Sequence, residues 1–110
     1  MRKDKVLSML GLARRAGRLS MGHDMAQQAI KRKKAKAVFL CADSSDRLKR
    51  EFEKAAQQYA NGIPVLKTDI TMNEIHYSVG SRAGVITIDD ENFSSKIISL
   101  LEQEEEAYGD

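Results

Sequence analysis

Apolar residues recur along this chain in two alternating rhythms, and each change of rhythm marks an element. Val6, Met9, Leu10, Ala13 and Ala16 share one helical face, with Asp4 placed to cap its start and Gly17 to stop it. Leu19-Ser20-Met21 is long enough for a short strand. Gly22 and His23 then open a second helix that turns Met25, Ala26, Ala29 and Ile30 inward. It ends in Lys31-Arg32-Lys33-Lys34, cations that suit the negative end of a helix. Ala37-Val38-Phe39-Leu40-Cys41 is an unbroken apolar run of strand length, as expected of a strand buried on both faces.

The second half repeats the alternation. Ser44-Ser45-Asp46 caps a third helix whose inner face is Leu48, Phe52, Ala55, Ala56 and Tyr59, and Asn61-Gly62 ends it. Ile63-Pro64-Val65-Leu66 reads as a strand with its proline early, where a missing N–H is tolerated. Thr71-Met72-Asn73-Glu74 has the spacing of a capping box and opens a short helix through Val79. After the Gly80–Gly84 turn, β-branched Val85-Ile86-Thr87-Ile88 forms a strand. Asp89-Asp90 then precede a last helix that buries Phe93, Ile97, Leu100 and Leu101. About five helices and four strands in alternation predict an α/β fold, with a sheet between helical layers. Strand order and direction stay open at this point. Residues 1–101 are expected to form one domain, with the acid-rich segment 102–110 a frayed tail.

Charge sharpens this picture. The net charge is only +2, yet residues 1–60 hold 15 Lys/Arg against 6 Asp/Glu, and residues 61–110 hold 3 against 10. That asymmetry favours an anionic partner for the first half, although charges that merely coat solvated helices would give a similar count. The single cysteine excludes an internal disulfide and a cysteine-based zinc site, and it suits a reducing, cytoplasmic setting. No apolar run reaches the length of a membrane span, and Val6–Leu12, broken by Ser8 and Gly11, makes a poor signal peptide.

A search for catalytic chemistry finds little. Cys41 lies in the most apolar strand and reads as a small buried hydrophobe rather than a nucleophile. His23 and His76 have no metal-ligand spacing. Asp43 with Asp89 or Asp90, at strand ends, is the set that a magnesium-dependent phosphoryl acceptor would use, although helix capping is the commoner role for such acids. No glycine-rich nucleotide loop is present. Two features point to nucleic acid instead. Gly22-His23-Asp24 opens a helix whose free N–H groups can face phosphate, with a glycine that lets backbone approach closely. The run Lys31-Arg32-Lys33-Lys34 with Lys36, together with Arg14, Arg15 and Arg18, supplies cations that displace counterions from a phosphate backbone.

The order Gly22-His23-Asp24, Ala29-Ile30, a basic turn and Ala35-Lys36-Ala37-Val38-Phe39-Leu40-Cys41-Ala42-Asp43 resembles the superfamily of large-subunit ribosomal proteins seven-Ae and thirty-e. The run Asn61-Gly62-Ile63-Pro64-Val65, the capping-box helix, the Val79-Gly80 turn and the last strand continue the resemblance over about residues 3–101. The opening Leu10-Gly11-Leu12-Ala13-Arg14-Arg15-Ala16-Gly17 is most similar to its short bacterial, ribosome-associated branch. The resemblance implies a three-layer α-β-α sandwich around a four-stranded mixed sheet. It also implies non-enzymatic binding, by a monomer without cofactor or metal, of kink-turn or ribosomal RNA, which would place the protein at the ribosome. A bent RNA with an internal loop is where side chains can reach base edges, because the A-form major groove is too deep and narrow to read.

Carried over by position, the resemblance implies that Gly22 allows close approach, with His23 beside it. Asp24 falls where the family has an amide or acid that reads guanine edges, and Gln28 where it often has lysine. Lys31 and Arg32 would reach flanking phosphates. Val79, Gly80, Ser81, Arg82 and Ala83 match the loop that covers extruded nucleotides, with Arg82 directed to phosphate. All of these should share one surface. Two departures stand against kink-turn specificity: Met25 replaces a glutamate that a thioether cannot imitate, and Gln28 removes a charge. Lost base contacts of this kind cost about 1–3 kcal/mol each in discrimination. These changes and the acidic tail motivate an alternative, a ribosome- or translation-associated protein-interaction module.

Overall fold

The computed structural model describes residues 3–59 and 62–103. Its elements run α1 (Lys3–Arg15), β1 (Leu19–Met21), α2 (His23–Lys31), β2 (Ala37–Leu40), α3 (Asp46–Tyr59), β3 (Val65–Lys67), α4 (Met72–Val79), β4 (Val85–Ile88) and α5 (Glu91–Glu102). Asn61 and the acid-rich run from residue 104 onward lie outside the described residues.

The strands form one sheet in the order β1-β4-β2-β3. β4 is antiparallel to both β1 and β2, and β2 is parallel to β3, so the sheet is mixed. Strand β2 shows why its sequence is apolar throughout. Ala37, Phe39 and Cys41 pack to one side with Val6, Leu10, Ile75 and Ile97, from α1, α4 and α5. Val38 and Leu40 pack to the other with Ala26, Ile30, Phe52 and Ala56, from α2 and α3. Successive side chains of a strand alternate between faces, so a sheet covered by helices on both sides needs an apolar residue at every step. Each large side chain buried here, Phe39 and Phe52 among them, contributes about 1.5–3 kcal/mol. The three-layer sandwich is the expected one.

Local signals mostly act as read. Thr71 Oγ1 accepts from Glu74 N (3.2 Å) and Glu74 Oε1 accepts from Thr71 N (2.9 Å), the reciprocal pair of a capping box. Asp90 Oδ2 accepts from Phe93 N at the start of α5 (2.8 Å), and Ser45 Oγ accepts from Leu48 N at the start of α3 (3.1 Å). Gly11 is buried where α1 crosses α4: a Cβ there would lie 3.1 Å from the Ser78 carbonyl.

Five details differ from the sequence reading. Asp4 is not a cap, because α1 already includes Lys3 and places Asp4 in its first turn. Ala16 lies past the end of α1 and is exposed. Met25 is 55% exposed. At 100° per residue it stands a quarter-turn away from the Ala26, Ala29 and Ile30 stripe that covers the sheet. Tyr59, the last residue of α3, is also exposed, and its ring lies 5.6 Å from Lys31 Nζ. Strand β3 begins at Val65 rather than Ile63, although the Pro64 carbonyl still accepts from Val38 N (2.9 Å).

Candidate nucleic-acid interface

Because β1 and β2 both run antiparallel to β4, and β3 runs parallel to β2, the C-terminal ends of β1, β2 and β3 share one edge of the sheet. Helices α2, α3 and α4 each start from that edge, and the 80–84 loop enters β4 there. The closest tie is Gly22 N, which donates to the Val85 carbonyl (2.9 Å). That bond sets the start of α2 within one residue of the end of the loop. Gly84 is packed on Leu48 and Ser44, both 3.2 Å from where a Cβ would sit, so the start of α3 backs the same loop.

Gly22 is the N-cap of α2 at φ 88 and ψ 171, and no side chain caps the helix. The N–H groups of His23, Asp24 and Met25 therefore have no intrahelical partner and, with the positive end of the helix dipole, form an anion-binding tip. A Cβ on Gly22 would meet nothing within 4 Å, so the backbone faces open space there. The side chain of Asp24 is 91% exposed.

Past its tip α2 has two flanks. On the β1 side, Met25, Gln28 and Arg32 line a shallow cleft of about 50 Å³ with Ser20, Ala29 and Lys34. On the α3 side, Gln27 and Lys31 line a second depression with Glu51, Lys54, Gln58 and Tyr59. Lys31 and Arg32 thus point to different flanks. His23 is tied rather than free: its Nδ1 lies 2.9 Å from Asp24 Oδ1 and its Nε2 2.6 Å from Glu51 Oε2. Its ring also stands edge-on to Phe52 at 5.6 Å. Those two carboxylate bonds, Asp24 first and Glu51 second, raise the His23 pKa above its ordinary value, since only the imidazolium can donate from both nitrogens. The bond to His23 in turn lowers the pKa of Glu51, which also accepts from Gln27 Nε2 (2.7 Å). His23 therefore anchors the first turn of α2 to α3.

The covering loop divides similarly. Gly80 caps α4 in the left-handed conformation (φ 94, ψ 0), its N–H donating to the His76 carbonyl at 3.0 Å. Arg82 is exposed and its guanidinium donates to Asn73 Oδ1. Val79 and Ala83 are core residues, and the Ala83 carbonyl accepts from Cys41 Sγ at 3.3 Å. In the loop, Gly80, Ser81 and Arg82 are the residues left to meet a ligand. Glu51 and Asn73 are not legible in the sequence as site residues: Glu51 reaches a side chain 28 residues away, and Asn73 meets Arg82 across the turn after α4.

The other chemical reading fails on geometry. Asp43 follows β2 and accepts from Met72 N (2.9 Å) at the edge just described. Asp89 and Asp90 follow antiparallel β4 and so lie at the opposite edge. There Asp89 accepts from the hydroxyls of Ser20 (2.5 Å) and Thr87 (2.8 Å). A strand's length, roughly 13 Å, separates them, too far for one magnesium ion. Burial pushes the Cys41 thiol up to about 12, which leaves it without nucleophilic character.

The sequence profile of the ribosomal protein L7Ae/L30e/S12e/Gadd45 family matches residues 4–98. The chain belongs to this family. Among its relatives, RNA-binding protein YlxQ of Enterococcus faecium is 30% identical over 100 residues, 91% of this chain and 94% of its own. RNA-binding protein YlxQ of Bacillus subtilis (strain 168) is 30% identical over 95 residues, covering 86% and 92%. A solved structure of a Bacillus halodurans C protein of unknown function superposes with a TM-score of 0.82 at 28% identity, covering 90% of this chain and 98% of that one. The Giardia lamblia 15.5kD RNA binding protein shares the fold, with a TM-score of 0.70 at 18% identity over 91% of this chain and 87% of its own.

Proposed function

We propose that this L7Ae-family protein binds structured RNA, a kink-turn or a ribosomal RNA element, by rigid docking without chemistry. The observation that carries this reading is the Gly22 N–H bond to the Val85 carbonyl, which sets an uncapped helix tip beside the 80–84 loop. Gly22 and the free amides behind it approach the bend, Asp24 meets base edges, and His23 holds the tip in place through Glu51. Gln28 and Arg32 follow along one flank, Lys31 serves the other, and Gly80, Ser81 and Arg82 cover nucleotides turned out of the stack. Val79 and Ala83 support that loop from the core. Names of the relatives point the same way. On this reading the protein is a cytoplasmic monomer, a single domain over residues 1–101, that needs no cofactor and acts at the ribosome. Among the described residues no helix is long and apolar enough to cross a membrane.

The test is a titration with a kink-turn RNA and a plain duplex of equal length at several salt concentrations. Tighter binding to the kink-turn is expected, with Gln28→Ala and Arg82→Ala both weaker and Arg82→Ala also less salt-dependent. Equal weak binding to both RNAs rejects specificity, and no salt-dependent binding to either rejects RNA.

A second reading, a protein-interaction module at the ribosome, is favoured by Tyr77, 89% exposed on α4, and by half-exposed Leu12 on α1. Partners that still co-purify after RNase digestion would support it.

A further inference from the structure

The turn after α2 contains a backbone conformation that docking at the helix tip does not use. Lys33 adopts φ 61, and among the described residues it alone is a non-glycine at positive φ; Gly17, Gly22, Gly62 and Gly80 are the others there. Its position is that of the residue just past the C-cap Arg32. Lys33 N donates to the Ile30 carbonyl (3.0 Å) and Lys34 N to the Ala29 carbonyl (2.9 Å), closing the end of the helix. Glycine commonly fills this position because a left-handed residue without Cβ is unstrained. A lysine there carries a backbone cost that glycine would avoid, and it adds a charge.

Lys33, Lys34 and Lys36 are all exposed. Lys36 N donates to the Ile88 carbonyl (2.7 Å), and on the other side of β4 the Arg18 carbonyl accepts from Asp89 N (2.8 Å). Arg18 and Lys36 thus flank the end of β4, about 10 Å apart at two strand spacings. Arg32 and Lys34 line the cleft that also holds Gln28 and Met25. Cations therefore run from the proposed RNA cleft, around the C-terminal end of α2, to the sheet edge opposite the 80–84 loop. The acids at this edge are Asp89, whose oxygens accept from the Ser20 and Thr87 hydroxyls, Asp90, which caps α5 and lies 4.0 Å from Arg18 Nε, and exposed Glu91 in the first turn of α5. Five cations outweigh them.

We propose that Arg18, Arg32, Lys33, Lys34 and Lys36 form a second phosphate-binding surface, which receives the duplex arm leaving an RNA bend seated on the tip of α2. This rests on the RNA reading above. The nine residues of α2 span roughly 14 Å, so an arm lying along the Gln28 flank reaches the turn within about four more phosphates of one strand. A protein partner fits less well, since specific protein interfaces are built around a desolvated, often aromatic centre, and the large apolar side chain in this strip is Met25 alone.

The test uses the full chain and three RNAs, a kink-turn ending at the bend and two versions of it in which one arm or the other is lengthened by one helical turn, with a plain duplex as control. Lys33→Gly removes the strain and the charge together, so its Tm is expected at or above that of the parent. The parent should bind one lengthened RNA several-fold more tightly than the short one, with a steeper salt dependence. Lys33→Gly should bind the short RNA as the parent does and lose most of the gain from the arm. Its log K against log salt should be shallower by about one unit, and by about two with Lys34→Ser added. A variant that keeps the full gain overturns the proposal while leaving the RNA reading in place. A parent that binds the bend but gains nothing from either arm also overturns it and leaves the cations to an acidic protein partner. A parent that does not distinguish the bend from plain duplex removes the reading underneath.

Discussion

Replacing Gly22 with alanine alters the backbone of the interface without touching a charge or a hydrogen-bonding side chain. Gly22 lies at φ 88 and ψ 171, a region that is essentially closed to residues carrying a Cβ. The added methyl would meet nothing within 4 Å, so no packing clash enters and the cost is conformational. Strain of this kind is worth about 1–3 kcal/mol, and the smaller entropy of unfolded alanine offsets about 0.4–1 kcal/mol of it. At mid-range values, about 2 less about 0.7, a net loss of about 1.3 kcal/mol follows. For a domain of this size each kcal/mol moves Tm by about 4–8 °C, so thermal melts followed by circular dichroism should show a drop of several degrees. Asparagine supplies the control. Gly80 at φ 94 and ψ 0 occupies the left-handed region that asparagine visits, whereas Gly22 does not. Gly80→Asn should therefore cost less than Gly22→Asn. Relaxation of the strained alanine would also pull residue 22 N–H off the Val85 carbonyl, so RNA affinity should fall in the folded variant. Melting of Gly22→Ala within about a degree of the parent, or equal losses for the two asparagine variants, would refute the conformational account.

Three further expectations can be checked separately. Thr71→Ala removes the acceptor of the capping box and should cost about 1 kcal/mol by urea titration, since the Glu74 N–H loses its partner. The His23 pKa is raised, so its contribution to stability is complete below the ordinary imidazole value of 6.5 and is lost as pH rises through the folded value. Glu51, lowered, contributes fully above the ordinary 4.5 and loses its share as pH falls through its folded value. The pair therefore supports the fold most between about pH 4.5 and 6.5, and Asp24→Asn or Glu51→Gln should lower the NMR titration midpoint of His23; an unmoved midpoint contradicts the anchor. Cys41, buried and with its thiol pushed up to about 12, should resist iodoacetamide at pH near 8 until the chain is unfolded, and rapid labelling of the native protein would contradict its placement.

What could be read in the chain was local or periodic. The Thr71–Glu74 box, the Asp90 cap and the doubly buried β2 all carry their cause within a few residues, so their elements fall where the pattern puts them. Met25 was misplaced because apolarity alone suggested a buried face, while the geometry of a nine-residue helix had already filled that face with Ala26, Ala29 and Ile30. Tyr59 has the correct angle but is the last residue of α3, where its ring meets Lys31 instead of the core. The His23–Glu51 bond joins residues 28 apart in the chain, and no local pattern encodes that approach. Strand direction was equally out of reach. The antiparallel pairing of β4 with β2 is what separates Asp43 from Asp89 and Asp90, and it needs the assembled sheet. Of the interface, the glycine and the cations were legible as residue types. The division of α2 into two flanks, which sends Arg32 and Lys31 apart, was not read.

The most direct test of the interface is an amide chemical-shift map of the ¹⁵N-labelled chain as a kink-turn RNA is added. Gly22, His23, Asp24, Gln28, Arg32, Ser81 and Arg82 should shift together and saturate at one RNA concentration. Shifts confined to the α1–α5 side, around Lys5, Lys96 and Leu100, with those amides unmoved, would place RNA on the other face of the sheet and contradict the interface.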